Sequence, residues 1–312
     1  MWTRRSRIAA WLLWFGTRVA SPVSSRVAGR LAAVLWTIPW QFGARRRVNR
    51  PTATGRTAGL VPLEVVDVSV FRRDRGVTRT QRVHLWAVGE GPTALLVHGW
   101  SDDARTFGPL ARELGEQGWR AVVCELPAHG SSRGVRTDGL QVAQVIRHVA
   151  EHCDARVVVS HSLGAFATMI ALADGLRVDA AALLAPVVRL ADAVDTFVAR
   201  VSLPDRAARA LRRHIERRYG PTLWEELVLD RRAVSFDMPA LVVHDPDDRQ
   251  APIASARALA ATWPNARLME TEGLGHRRIV DDEAVMRRVV AFVTSVERAG
   301  RPDDDRVDGE PG

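Results

Sequence analysis

Lysine is absent from all 312 residues, so each of the 44 basic side chains is an arginine. Together with abundant Ala and Val, this points to compositional bias in the coding sequence, and arginine content alone says little about a partner. No aromatic-and-basic strand motif, zinc-finger spacing or helix-turn-helix pattern accompanies the charge, so nucleic acid is not an expected partner. Cysteine is scarce as well. Cys124 and Cys153 are too few for a disulfide framework, and Cys124 lies in an apolar strand pattern where a small thiol packs well. A reducing cytoplasm is the expected compartment. Cys-x-x-Cys, His-Glu-x-x-His and glycine-rich phosphate loops are all missing, so no metal and no cofactor is expected.

Acidic residues are missing from one region in particular. Residues 1–63 hold eleven Arg and no Asp or Glu; taking these eleven from the formal +8 leaves −3 on the other 249 residues. The body is therefore mildly acidic, and the basic character belongs to the N-terminal stretch. With 46% apolar and 26% charged residues the body has the composition of an ordinary globular protein. At this length roughly 70 to 75% of the unfolded surface can be buried, enough for a deep core with an enclosed site.

Long apolar runs are absent too. Ile8 to Phe15, behind Arg4, Arg5 and Arg7, imitates a secretory signal, but the run is too short to span a bilayer and Arg18 spoils the cleavage site. A second segment opens at Ser21-Pro22 and sets Val27, Leu31, Val34, Leu35 and Ile38 along one helical face, with Arg26, Arg30 and Thr37 opposite, before Pro39 and the arginines 45, 46, 47 and 50. Five of the ten Trp fall in the first forty positions. Residues 1–57 thus read as a basic amphipathic helical extension. It either packs on the domain or meets an anionic membrane surface peripherally, at the inner membrane face.

From residue 63 short β-branched runs alternate with helical periods, the pattern of a mostly parallel sheet covered by helices. Strands are expected at 63–69, 80–88, 94–98, 119–125, 155–160, 178–185, 239–244 and 266–271, the first two as an antiparallel edge pair. Runs such as 156–160 and 240–244 are apolar nearly throughout, as in strands buried on both faces. Helical faces are expected at Phe107, Leu110, Ala111 and Leu114, at Leu140, Ala143, Ile146 and Val149, and at Val285, Val289, Phe292 and Val296. The gap between the strands at 185 and 239 reads as helices. Pro204 and Gly220-Pro221 bracket one that turns Ala208, Leu211 and Ile215 inward. The expected organisation is a core of 60–186 and 239–297, a helical cap insertion at 187–238 and a disordered tail at 299–312.

The sharpest chemical feature is Ser160-His161-Ser162-Leu163-Gly164, directly after a buried strand and directly before the helical run Ala165 to Ala173. A tight strand-to-helix turn holds a serine hydroxyl exposed, and small residues two before and two after it keep strand and helix from colliding. Ser162 is the candidate nucleophile. The helix N-terminus aims its N–H groups at developing negative charge, so the Leu163 N–H is a candidate oxyanion donor. The second donor is expected from the loop His98-Gly99-Trp100-Ser101, at the Trp100 N–H, with the indole as part of an acyl-site wall. A serine hydroxyl needs a base at the same sheet edge. Gly275-His276, after the last strand and before the final helix, supplies it better than His129, His161 or His244. A carboxylate must orient that imidazole, and Asp245, Asp247 and Asp248 crowd the loop after the strand ending at His244. Asp248 is the candidate, 86 residues after Ser162 and 28 before His276, while Asp245 and Asp247 also read as turn-forming residues.

His98-Gly99-Trp100, Leu126 to Ser131, Ser160 to Gly164, His244 to Pro252 and Gly273 to His276 together resemble the successive motifs of α/β-hydrolases, over roughly residues 60 to 297. The resemblance implies that fold and supports Asp248, since the family's acid stands four residues after the strand-end His. Ser160 replaces the usual first elbow Gly, Ala165 a frequent following Gly, and Glu125 and Ala128 the usual Asp and Gly before His129. The resemblance further implies a serine hydrolase acting on a carboxylic ester or thioester through an acyl-enzyme, with a small-molecule acyl ester as substrate. Haloalkane dehalogenases and epoxide hydrolases share the fold but use an aspartate nucleophile, which Ser162 argues against. Perhydrolase (haloperoxidase-like) activity, C–C bond hydrolysis and acyl transfer to an alcohol use the same triad and stay open, as does a non-catalytic ligand-binding scaffold.

Overall fold

The computed structural model describes residues 24–39 and 59–299. The stretches 1–20 and 45–50, the Ser21-Pro22 pair and the tail beyond 299, on all of which the sequence raised expectations, lie outside the described residues. Eight strands form one sheet: β1 (Val61–Arg72), β2 (Val77–Val88), β3 (Thr93–Val97), β4 (Arg120–Glu125), β5 (Ala155–His161), β6 (Ala180–Leu184), β7 (Ala240–His244) and β8 (Ala266–Glu270). Their spatial order is β1-β2-β4-β3-β5-β6-β7-β8. β1 and β2 form an antiparallel hairpin, β2 pairs antiparallel with β4, and every later pairing is parallel. All eight strands fall where the apolar runs predict them, with the hairpin longer than expected.

Side chains of period two feed two cores, one on each face of the sheet. In β3, Leu95 and Val97 join one core while Ala94 and Leu96 join the other, and no side chain of the strand reaches solvent. This is why β3 to β7 read as near-continuous apolar runs. β1 lies at the edge and buries one face only, through Val66, Val68 and Val70.

The helices are α1 (Ser25–Trp36), α2 (Gly108–Glu116), α3 (Gly139–His152), α4 (Leu163–Ala173), α5 (Leu190–Arg200), α6 (Asp205–Tyr219), the one-turn α7 (Leu223–Glu226) and α8 (Leu229–Arg232), α9 (Ile253–Thr262), the short α10 (Gly275–Arg278) and α11 (Glu283–Ala299). α4 is apolar all round, with nine consecutive buried residues from Gly164 to Leu172, because it lies between the sheet and other helices. α5 to α8 all fall between β6 and β7, in the stretch the sequence assigned to helices. α6 turns Ala207, Ala210, Leu211 and Ile215 inward, while Ala208 is only partly buried.

The sequence left open whether the apolar face of Val27, Leu31, Val34, Leu35 and Ile38 packs on the domain; the residues that become buried are Ala28, Gly29, Ala32 and Ala33, and α1 packs against α6. Val27 stays 55% exposed and Leu31 38%. Close approach decides the matter: a Cβ on Gly29 would lie 2.6 Å from Ala210 Cβ and 2.7 Å from its backbone carbon. Small side chains on both helices allow a contact that larger apolar residues would hold apart. The described helix begins at Ser25, and the side chain of Ser24 caps it by accepting from the Val27 N–H at 3.3 Å. Its far end is tied down too, since the Thr137 N–H donates to Thr37 O at 3.0 Å and Trp36 packs edge-on against Phe197.

Candidate active site

Ser162 stands between β5 and α4 with φ 53° and ψ −114°, a left-handed conformation rare for a residue with a side chain. Its N–H donates to Leu184 O at 3.0 Å, which ties the turn to β6. Gly164 explains how helix and sheet pass so closely: a Cβ there would lie 2.5 Å from Val97 O and 2.7 Å from His98 O. Ser160 is fully buried beneath the turn, and its hydroxyl makes no hydrogen bond among the described residues.

Three side chains meet at this turn. Ser162 Oγ lies 2.8 Å from His276 Nε2, and His276 Nδ1 lies 2.7 Å from Asp248 Oδ2. A carboxylate only accepts, so the imidazole proton sits on Nδ1 and the Nε2 lone pair faces the serine hydroxyl. Asp248 Oδ1 accepts from the Gln250 N–H at 2.7 Å and the Ala251 N–H at 3.1 Å, which fixes the carboxylate from behind. Burial works to raise the Asp248 pKa, but the His276 hydrogen bond and charge, with these two amides, hold it below the usual carboxylate value. All three side chains are nearly closed off from solvent.

The neighbouring acids do other work. Asp245 Oδ2 accepts from the Thr271 hydroxyl at 2.7 Å and the Leu274 N–H at 2.8 Å, and its Oδ1 accepts from the Asp247 N–H at 2.8 Å. Asp245 therefore clamps the loop leaving β7 to the loop leaving β8, which carry Asp248 and His276 respectively. Asp247 is exposed.

The loop 98–104 is held at the same edge by groups whose tethering role the sequence did not show. Leu126 N–H donates to His98 Nε2 at 3.1 Å, and His98 Nδ1 donates to Gly99 O at 2.8 Å. Ser101 N–H donates to His129 Nε2 at 3.0 Å, and His129 Nδ1 donates to Pro127 O at 2.9 Å. Burial first, and then the nearby His98, pull His129 down to about 3, so it stays a neutral acceptor. Glu125 adds a third tie, accepting from the Ala104 N–H at 3.2 Å and the Ser131 N–H at 2.7 Å. A Cβ on Gly130 would lie 2.2 Å from the Glu125 carboxylate, so that glycine makes room for the longer acid. The one available signal was that His98 and His129 both follow the ends of adjacent strands.

Gly99 brings this loop onto the nucleophile, since a Cβ there would lie 3.1 Å from Ser162 Cβ. Trp100 follows directly, partly exposed, with its indole edge-on to the His129 ring at 5.3 Å. Leu163 is the first residue of α4. Trp100, on the loop after β3, and Leu163, at the start of α4, thus come to Ser162 from two different segments. No group of three or more His, Cys, Asp or Glu side chains among the described residues is arranged to hold a metal ion.

A serine on a strained strand-to-helix turn, hydrogen-bonded to a histidine and through it to an aspartate at the same edge of a mostly parallel sheet, defines a class. The pattern of the alpha/beta hydrolase family matches residues 94–289, and the chain belongs to that family. Its relatives include the pimeloyl-[acyl-carrier protein] methyl ester esterase of Xanthomonas campestris pv. campestris (strain B100), 28% identical in an alignment that covers 62% of this chain and 91% of that protein. The protein of the same name from Xanthomonas axonopodis pv. citri (strain 306) is 25% identical over 69% of this chain and 100% of its own length. Among solved structures, an esterase from Exiguobacterium antarcticum superimposes with a TM-score of 0.54 at 18% identity, covering 73% of this chain and 100% of that one. An esterase of Pyrococcus furiosus gives 0.53 at 16% identity, over 74% and 92%.

Proposed function

We propose that this chain is a serine hydrolase that cleaves a carboxylic ester or thioester through an acyl-enzyme intermediate. The observation that carries the reading is the continuous hydrogen-bonded line from Ser162 Oγ through His276 to Asp248. In the first step Ser162 Oγ attacks the acyl carbonyl carbon while His276 Nε2 takes the hydroxyl proton. The Trp100 and Leu163 N–H groups hold the oxyanion. His276 then returns the proton to the departing alcohol or thiol. In the second step His276 activates a water that attacks the acyl carbon, the acid is released, and Ser162 regains its proton. Asp248 keeps the imidazole in the productive tautomer throughout. The names of the esterase relatives support an ester bond, and a methyl ester on an acyl-carrier-protein-bound chain is the first specific substrate to assay.

Helices α5 to α8, residues 187–238, serve in this reading as a cap. Thr196 Oγ1 donates to Gln250 O at 2.9 Å, Arg200 Nη1 to Gln250 Oε1 at 2.9 Å, and Ser255 Oγ to Asp192 Oδ2 at 2.7 Å. α5 is thereby tied to the loop that holds Asp248. Labelling by a fluorophosphonate probe, with Ser162→Ala as control and p-nitrophenyl acyl esters of increasing chain length alongside, tests the reading. Labelling that vanishes in the variant, with ester turnover, is expected; an unlabelled, inactive but folded protein is the result for a ligand-binding scaffold.

A second proposal concerns residues 1–57, as a peripheral contact with an anionic membrane surface. The exposed Val27 and Leu31 beside the exposed Arg26 and Arg30 support it. No helix among the described residues is long and apolar enough to cross a membrane. Co-sedimentation with anionic liposomes should be stronger for the full chain than for one lacking residues 1–57, and equal pelleting would remove the idea.

A further inference from the structure

Two groups beside the triad, the buried His161 and the half-buried Asp102, have no part in the proposed reaction. His161, the residue before the nucleophile, packs its ring 5.0 Å from the His276 ring. Its Nε2 lies 2.9 Å from the backbone carbonyl of His276. A carbonyl accepts only, so the His161 proton is on Nε2 and its Nδ1 carries a lone pair. That Nδ1 is buried and makes no hydrogen bond. Gly99 closes over it, since a Cβ there would lie 2.8 Å from Nδ1. The carboxyl oxygen Oδ2 of Asp102, whose side chain is 22% exposed, stands 3.9 Å from the same Nδ1.

We propose that Asp102, as a protonated acid, donates to His161 Nδ1, and that the pair positions the general base by way of the His161 Nε2–H bond to the His276 carbonyl. The proposal rests on the serine-hydrolase reading and adds a positioning pair to it. The line runs from the loop after β3, through the ring under the nucleophile, to the backbone of α10, which carries His276. It gives the buried lone pair of His161 Nδ1 a donor. An ionised Asp102 facing that lone pair would repel it instead. The charged and titratable groups around Asp102 are Arg277 and His276 on α10, His98 and Asp103 on its own loop, and His161 on β5. Burial is the foremost of the influences there and pushes Asp102 above the usual carboxylate value against the pull of Arg277 and His98; burial and the neighbouring His276 pull His161 down to about 3. Both directions favour the proton on Asp102 rather than on His161.

The test compares the full-length wild type with Asp102→Ala and Asp102→Asn. Asp102→Ala is expected to lower kcat by about 10- to 100-fold, the size of effect that follows a small misplacement of a reacting group, with KM little changed. Asp102→Asn should rescue kcat, because the amide also donates. The wild-type kcat should fall at high pH as Asp102 loses its proton, and that limb should be missing in Asp102→Asn. A carbonyl-carbon NMR titration of aspartate-labelled wild type gives a readout independent of variant folding, with Asp102 expected to be protonated at neutral pH. An ionised Asp102 beside a neutral His161, or an Asp102→Ala variant with wild-type kcat and pH profile, overturns the proposal. The wild type would still be labelled at Ser162 in that case, whereas failure of the serine-hydrolase reading itself shows as absence of that labelling.

Discussion

Asp248→Asn is the most discriminating single substitution, because the local geometry dictates which way the new amide must face. Oδ1 of Asp248 is held by two backbone donors, the N–H groups of Gln250 and Ala251 at 2.7 and 3.1 Å. An asparagine must keep its carbonyl oxygen there, since turning its NH2 toward two donors would leave all of them unsatisfied. Its NH2 then faces His276 Nδ1, where the carboxylate stood at 2.7 Å. A donor at that point forces the imidazole into the other tautomer, with its proton on Nε2 pointing at Ser162 Oγ, and the serine loses its base. The cost is on the order of 10⁴-fold in kcat, or about 5.5 kcal/mol of transition-state stabilisation. The fold should survive with a modest loss of stability, because volume, burial and both backbone hydrogen bonds persist while the favourable charge of the carboxylate is lost. The assay is fluorophosphonate labelling rate and p-nitrophenyl ester turnover at neutral pH, with a urea melt for stability and the exposed Asp247→Asn as control. An Asp248→Asn variant within tenfold of wild type would refute the assignment, as would a loss of the same size in Asp247→Asn.

Gly164→Ala should destabilise the protein by about 1–3 kcal/mol in urea melts and slow labelling, because a Cβ would sit 2.5 Å from Val97 O and neither backbone can yield freely; unchanged stability would show that α4 can slide. Tyr219→Phe removes the hydroxyl that donates to buried Asp138 Oδ2 at 3.0 Å, linking α6 to the cap of α3, and should cost about 1–3 kcal/mol with ester turnover retained. His129 and His161 are both pulled from 6.5 down to about 3. Above pH 6.5 they are neutral folded or unfolded; as pH falls from 6.5 toward 3 only the unfolded chain takes up their protons, so each lowers stability by about 1.4 kcal/mol per pH unit. Asp102 and Asp138, both raised by burial, act in the opposite sense, since protons kept by the native state favour it as pH falls. Urea midpoints at pH 7, 6 and 5 for wild type and His129→Gln isolate one share, and equal pH slopes would mean that His129 is not kept neutral.

What was legible in the sequence and what was not divides along the range of the interactions. Strands β3 to β7 are buried on both faces, so their apolar runs carry the information locally, and the candidate triad residues could be named from the order of loops at one sheet edge. Among Asp245, Asp247 and Asp248 the spacing of four residues after His244 already favours Asp248, and the distances show why: Asp245 is turned toward Thr271 and Leu274, Asp247 toward solvent, and Asp248 toward His276. The tethering role of His98, His129 and Glu125 was not legible, because each acts on a backbone N–H in another loop. Ala128 shows a departure with a physical cost, since it holds φ at 66°, a conformation that the family's usual glycine adopts without strain. For α1 hydrophobicity alone did not say which face packs, and size decides it. Val27, Leu31 and Val34 form the stronger apolar stripe, but Ala28, Gly29, Ala32 and Ala33 form a stripe of small residues, and so do Ala207 and Ala210 on α6. Dispersion contacts between closely spaced backbones can outweigh a few larger apolar side chains left outside. That choice makes sense if the outward stripe has a use of its own, which is the question the liposome experiment puts to Val27 and Leu31.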